Sequence, residues 1–293
     1  MHLKGMCLFI HLLISSFLFA QEKKQEVVLD ENTKSYIESF KDSVKIDNLY
    51  NLIGIGYFDV YMGNNQRGNA IMGYALSKIP NPDYELYHEL SVQNTKNGNY
   101  KLAVQYLDKA AKLNPEVNGY YGWVMLYYFR DYERALKYLE KYDSLTPNYS
   151  DFPAGENINY LKGMALLMQK KYSTSIIYFK KYIHEVHKTI GEKWLDPSVF
   201  YYLGIAYYTI GDSKNAKLSF KKAIKYYPHF CEAYFYLAKI EKTNKNKLKK
   251  LNKAKQLLNN GFSKKDVYVE IFNPIYLQDI ENEIQKININ ESF

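Results

Sequence analysis

His184 and His187 stand three residues apart in a stretch with helical periodicity, a spacing that puts two imidazoles on one helix face and could hold a metal ion. A third ligand is not identifiable and the pair is not a His-Glu-x-x-His motif, so two surface histidines are the plainer reading and no metal or other cofactor is expected. Gly54-Ile55-Gly56 lacks a preceding strand and a third glycine at the spacing a nucleotide loop needs. No serine lies in a motif that marks a nucleophile, so no catalytic residue is assigned. The densest charge is the run KTNKNKLKKLNKAK, residues 242–255, with seven lysines. Leu248, Leu251 and Leu258 give it an apolar stripe, so it reads as a helix with one cationic face carrying Lys245, Lys247, Lys249, Lys250 and Lys253. That face is either a solvated end or a contact for an anionic partner such as lipid head groups or an envelope polymer. Nucleic acid is not expected, because the run lacks interleaved arginine and aromatic residues.

These residues need elements to carry them. The chain has 293 residues, 47% apolar and 24% charged, an ordinary globular balance with room for one or two domains. Tyrosine is unusual, at 31 residues, and implies many places for a half-buried ring with a polar tip. Residues 1–20 read as a secretory signal peptide, with Lys4, an apolar run from Met6 to Phe19, and Ala20 before a charged stretch. An uncleaved anchor is the alternative. Cleavage after Ala20 removes Lys4 and no acidic residue, taking the formal charge from +8 to +7. It also removes Cys7 and leaves Cys231 alone, which reads as a small buried residue and cannot form an internal disulfide.

The stretch YYLGIAYYTIGDSKNAKLSFKKAIKYYP, residues 201–228, sets a pattern. Gly204 is followed by Tyr207, Gly211, Ala216, Phe220, Ala223 and Pro228 at three, seven, twelve, sixteen, nineteen and twenty-four residues. Apolar residues recur every three or four positions on either side of Gly211-Asp212, which describes two amphipathic helices and a tight turn. Ala216 and Ala223 permit close approach, Phe220 fills the space between the helices, and Pro228 ends the second. Gly163 with Ser175 and Phe179, Ser91 with Ala103 and Leu107, and Gly56 with Gly68 and Met72 repeat the spacing. A copy aligned on Met125, with Ala135, Leu139 and Pro147, is about two residues short at its turn. A sixth begins at Leu237 and Ala238 and departs through an apparent lysine-rich insertion.

This pattern resembles the tetratricopeptide repeat. The resemblance implies an all-α fold: a right-handed superhelical solenoid of about six hairpins over residues 48–260, with a helical cap at 21–47 and another at 261–293. Within the second cap a helix is expected to start near Pro274, with Ile280, Ile284 and Ile287 on one stripe. The resemblance also implies that the first helix of each hairpin lines a groove, at positions that fall here on Tyr57, Tyr61, His88, Tyr160, Met164, Met168, Tyr201, Ile205, Tyr208 and Phe235. Such a face, aromatic and nearly uncharged, would suit a protein or peptide partner with apolar anchors. The alternative is that several of these side chains only touch the next hairpin. The lysine and asparagine clamp for C-terminal carboxylates is not supported. The resulting expectation is an exported, non-catalytic adaptor, periplasmic or secreted, with a surface-binding envelope module as the alternative.

Overall fold

A computed structural model describes residues 27–263 and 271–291. The expected signal peptide and residues 264–270 of the expected C-terminal cap lie outside the described residues. Every regular element among those described is helical.

The helices pair in chain order within two compact units that meet in sequence at Leu113 and Asn114. In the first unit a short helix α1 (Glu31–Glu38) precedes the hairpin of α2 (Leu49–Tyr61) with α3 (Asn65–Lys78) and that of α4 (Tyr84–Lys96) with α5 (Tyr100–Leu113). Leu52, Ile71, Met72, Leu86, Leu90 and Tyr106 join in one core that spans both hairpins. In the second unit α6 (Val117–Tyr127) pairs with α7 (Tyr132–Asp143), α8 (Ile158–Met168) with α9 (Tyr172–Thr189), α10 (Pro197–Thr209) with α11 (Ser213–Tyr226), and α12 (Cys231–Ile240) with α13 (Asn244–Asn259). A last helix, α14 (Leu277–Glu291), packs on α13. Each hairpin in this unit also packs on the next, α7 on α8, α9 on α10 and α11 on α12, so the unit is a solenoid of stacked hairpins.

The spacing read from the sequence has a direct physical cause. A Cβ added at Gly204 would sit 2.5 Å from the ring of Phe220, which is itself wholly buried, so the small residue exists to admit that ring. Burying such a side chain contributes roughly 2–3 kcal/mol. Between α10 and α11 the chain reverses through Gly211 at φ 84°, a left-handed conformation that suits glycine. Asp212 then starts α11 by accepting a hydrogen bond from the Asn215 amide at 3.0 Å, and Asp83, Asn157 and Asp196 start α4, α8 and α10 in the same way.

Two expectations about the repeats need correction. The third hairpin is in register on Gly122, not Met125: its Cβ position meets Leu139 at 2.6 Å. Its turn is one residue longer than that of α10–α11, not shorter, because the amides of Tyr128 and Phe129 both bond to the Val124 carbonyl and that of Asp131 bonds to Met125. Arg130, at φ 54°, takes the left-handed turn position that Gly211 holds between α10 and α11. The lysine-rich run is not an insertion either. It forms α13, which follows α12 after only Glu241, Lys242 and Thr243, and its Leu251, Ala254 and Leu257 are buried.

The C-terminal cap also begins differently. Pro274 does not start a helix; α14 starts at Leu277, where Asp279 accepts a hydrogen bond from the Tyr276 amide at 2.9 Å. Ile280 and Ile287 are buried against α13, with Ile284 partly so, as the stripe required. Residues 271–276 have no regular structure and lie on the second unit itself.

Candidate peptide-binding groove

Residues Ile271 to Tyr276 lie against tyrosines of the first helices α6 and α10 and beside a hollow lined from α8, α10 and α12. Phe272 is the anchor, 1% exposed. Its ring lies among those of Tyr127 at the end of α6, Tyr132 at the start of α7 and Tyr202 on α10, at centroid distances of 5.7, 6.1 and 6.3 Å. The Arg130 guanidinium covers the ring at 3.9 Å, a favourable contact of cation and aromatic face. Two backbone bonds fix the segment: the Phe272 amide donates to the Tyr202 hydroxyl at 3.3 Å, and the Tyr201 hydroxyl donates to the Asn273 carbonyl at 2.8 Å. Ile271 and Ile275 are buried beside the anchor, while Tyr276 is exposed.

Next to Asn273 a hollow of about 210 Å³ stays open, lined by Leu167, Met168, Ile205, Tyr208 and Tyr236 among others. Beside the aromatic box lies a half-buried acid. Glu156 accepts hydrogen bonds from Trp123 Nε1 at 2.9 Å and from the Tyr127 hydroxyl at 2.7 Å. Burial holds its carboxyl above the ordinary glutamate range; the two hydrogen bonds oppose that shift and the Asp196 charge adds to it.

The ten residues expected to line a groove divide three ways. Met168, Ile205 and Tyr208 come together around the hollow. Tyr160, Met164, Tyr201 and Phe235 do not form an open lining, because all four are buried. The Tyr160 ring packs on Tyr182, Phe179 and Tyr202, so it fills the space between successive hairpins. Tyr201 is wholly buried among Phe220, Phe230 and Tyr236, and only its hydroxyl reaches residue 273. Phe235 belongs to the core closed by α14. Ile205 is itself only 6% exposed, so little of its side chain faces the hollow. The other three stand in the first unit: Tyr61 is 84% exposed, and Tyr57 and His88 are half-buried. Burial lowers the His88 pKa, so that imidazole is neutral at pH 7. The residues around Phe272 escape sequence reading, because Tyr127, Arg130, Tyr132 and Tyr202 acquire a role only through a segment 70 or more residues further on.

On the lysine helix, Lys245 and Lys249 are exposed, whereas Lys247, Lys250 and Lys253 are half-buried. Lys250 lies over the Tyr234 ring at 5.7 Å. The cap brings opposite charge to the same hairpin, with Glu281 at 2.8 Å from Lys255 and Glu283 at 3.4 Å from Lys239. No described helix is long and apolar enough to cross a membrane.

Stacked helical hairpins, four of them with a glycine that admits a large side chain of the second helix, define a helical repeat protein. The repeat is the tetratricopeptide repeat: residues 84–117 and 198–229 match models of it. No curated protein matches the chain. Among solved structures it is similar to a tetratricopeptide repeat protein from Parabacteroides merdae ATCC 43184, with 14% identity over 87% of this chain and 91% of the other, TM-score 0.54. It is also similar to a double mutant of MamA RS-1, with 21% identity over 62% of this chain and 97% of the other, TM-score 0.52. A third is PilW, described as a widely conserved type IV pilus biogenesis factor, with 16% identity over 74% and 95%, TM-score 0.51. At these identities the likeness is one of fold.

Proposed function

We propose that the chain is an exported, non-catalytic adaptor that binds a protein partner through the tyrosine-rich face of its second unit. The observation that carries this reading is the seating of Ile271–Tyr276 on that face. A non-helical segment with an aromatic anchor and backbone hydrogen bonds to tyrosine hydroxyls supports a face suited to a peptide of that chemistry. Arrays of this repeat generally act by binding protein segments, which agrees with it. Export rests on the apolar run from Met6 to Phe19 ahead of Ala20, and places the mature chain in the periplasm or outside the cell.

Affinity capture of the chain from the cells that make it tests both parts. The captured chain should begin at Gln21, and a defined protein should co-elute. Met168→Ala with Tyr208→Ala should lose that protein while Lys245→Gln with Lys249→Gln retains it. A chain that keeps Met1, or a partner lost only with the lysines, contradicts the reading.

A further inference from the structure

The segment on the groove has the form of a ligand. Ile271, Phe272 and Ile275 are buried without belonging to any helix; Phe272 and Asn273 contact the α6–α7 and α10–α11 hairpins, and Asn273 lines the hollow together with residues of α8–α9 and α12. At Phe272 and Asn273 its backbone bonds to tyrosine hydroxyls, where a helix of the stack would satisfy its own amides. The groove is incompletely filled, since the hollow at Tyr208 and Met168 continues past Asn273.

We propose that residues 271–276 are an internal ligand that holds the groove closed, and that the partner is a segment of the same chemistry: a phenylalanine preceded by an apolar residue, with a proline two positions later and another apolar residue after it. This rests on the groove reading given above. The partner's phenylalanine enters the box of Tyr127, Arg130, Tyr132 and Tyr202 as Phe272 leaves it. A tethered competitor acts at an effective concentration in the millimolar range, so the intact chain binds such a segment weakly until its own is displaced.

The test uses the full-length protein and a labelled synthetic peptide, Glu-Ile-Phe-Asn-Pro-Ile-Tyr-Leu, the sequence of residues 270–277. Fluorescence anisotropy should show at least tenfold tighter binding to Phe272→Ala than to the wild type, and the same peptide with alanine for its phenylalanine should not bind. Equal affinity for wild type and Phe272→Ala overturns the internal ligand and leaves the groove as a binding face. No binding to a folded Phe272→Ala overturns it as well; the groove reading is then judged separately by the Met168/Tyr208 capture. Should Phe272→Ala fail to fold, hydrogen exchange on the wild type needs no substitution. Saturating peptide should speed exchange of the 272–276 amides several-fold, and unchanged exchange overturns the proposal.

Discussion

Tyr201 shows what a position in a repeat can and cannot say. Its offset from Gly204 places it on the groove side of α10, yet the ring is core and only the hydroxyl, 2.8 Å from the Asn273 carbonyl, takes part in the groove. The length of a tyrosine lets one residue serve both layers, which the pattern of small and large residues does not reveal. Glu156 was hidden for another reason: its partners Trp123 and Tyr127 lie 33 and 29 residues away in sequence. Its chemistry yields a prediction. Because the folded pKa is raised above the ordinary value, the stability linked to Glu156 is fully present below that ordinary value and is lost as pH rises through the raised one. Replacing it with glutamine removes the titration and keeps an acceptor for Trp123. Thermal melts from pH 4 to 8 should show the stability of wild type relative to Glu156→Gln falling as pH rises. A constant difference across that range would show that Glu156 titrates normally.

Elements were legible where their cause is local. The partnership of Gly204 with Phe220 lies within one hairpin, so spacing alone exposed α10 and α11. The third hairpin was misaligned because its extra residue sits in the turn, where hydrogen bonding and not side-chain pattern sets the length. Residues 271–276 were read as the edge of a helix because a proline at a helix start is ordinary, and nothing nearby in sequence announces an aromatic box. The attachment of α1 to the first hairpin was also illegible. Arg67 on α3 donates to both carboxylate oxygens of Asp59 on α2, each at 2.7 Å, and stacks over Tyr36 of α1 at 3.7 Å. Asp59 is wholly buried and Asn64 donates to it at 3.0 Å. The hydrogen bonds from Arg67 are the main cause of its lowered pKa, so its stabilising contribution is present above the ordinary carboxylate value and is lost as pH falls through the depressed one. Arg67→Ala strands a buried charge and should cost about 3 kcal/mol, the low end for a broken buried pair because the Arg67 side chain is a third exposed. Urea denaturation of the first unit checks this; a loss under about 0.5 kcal/mol would mean that water replaces the guanidinium.

At the scale of the whole chain the tyrosine excess has two uses. Tyr160 and Tyr202 fill the spaces between hairpins, and the hydroxyls of Tyr201 and Tyr202 bind a backbone segment. The all-helical repeat architecture could be read from the sequence, because stacked hairpins need the same small and large residues in every copy. The division into two compact units could not, since the periodic signal continues across Leu113 and Asn114. The central claim is that the tyrosine face of the second unit is where this protein meets its partner. Photo-crosslinking tests it most directly, with benzoylphenylalanine placed at Tyr208 beside the hollow and, separately, at Lys249 on the exposed side of α13, in the cells that make the protein. We predict a defined protein adduct from position 208 and none of that mass from position 249. Adducts from position 249 alone would contradict the groove and make the lysine helix the binding surface.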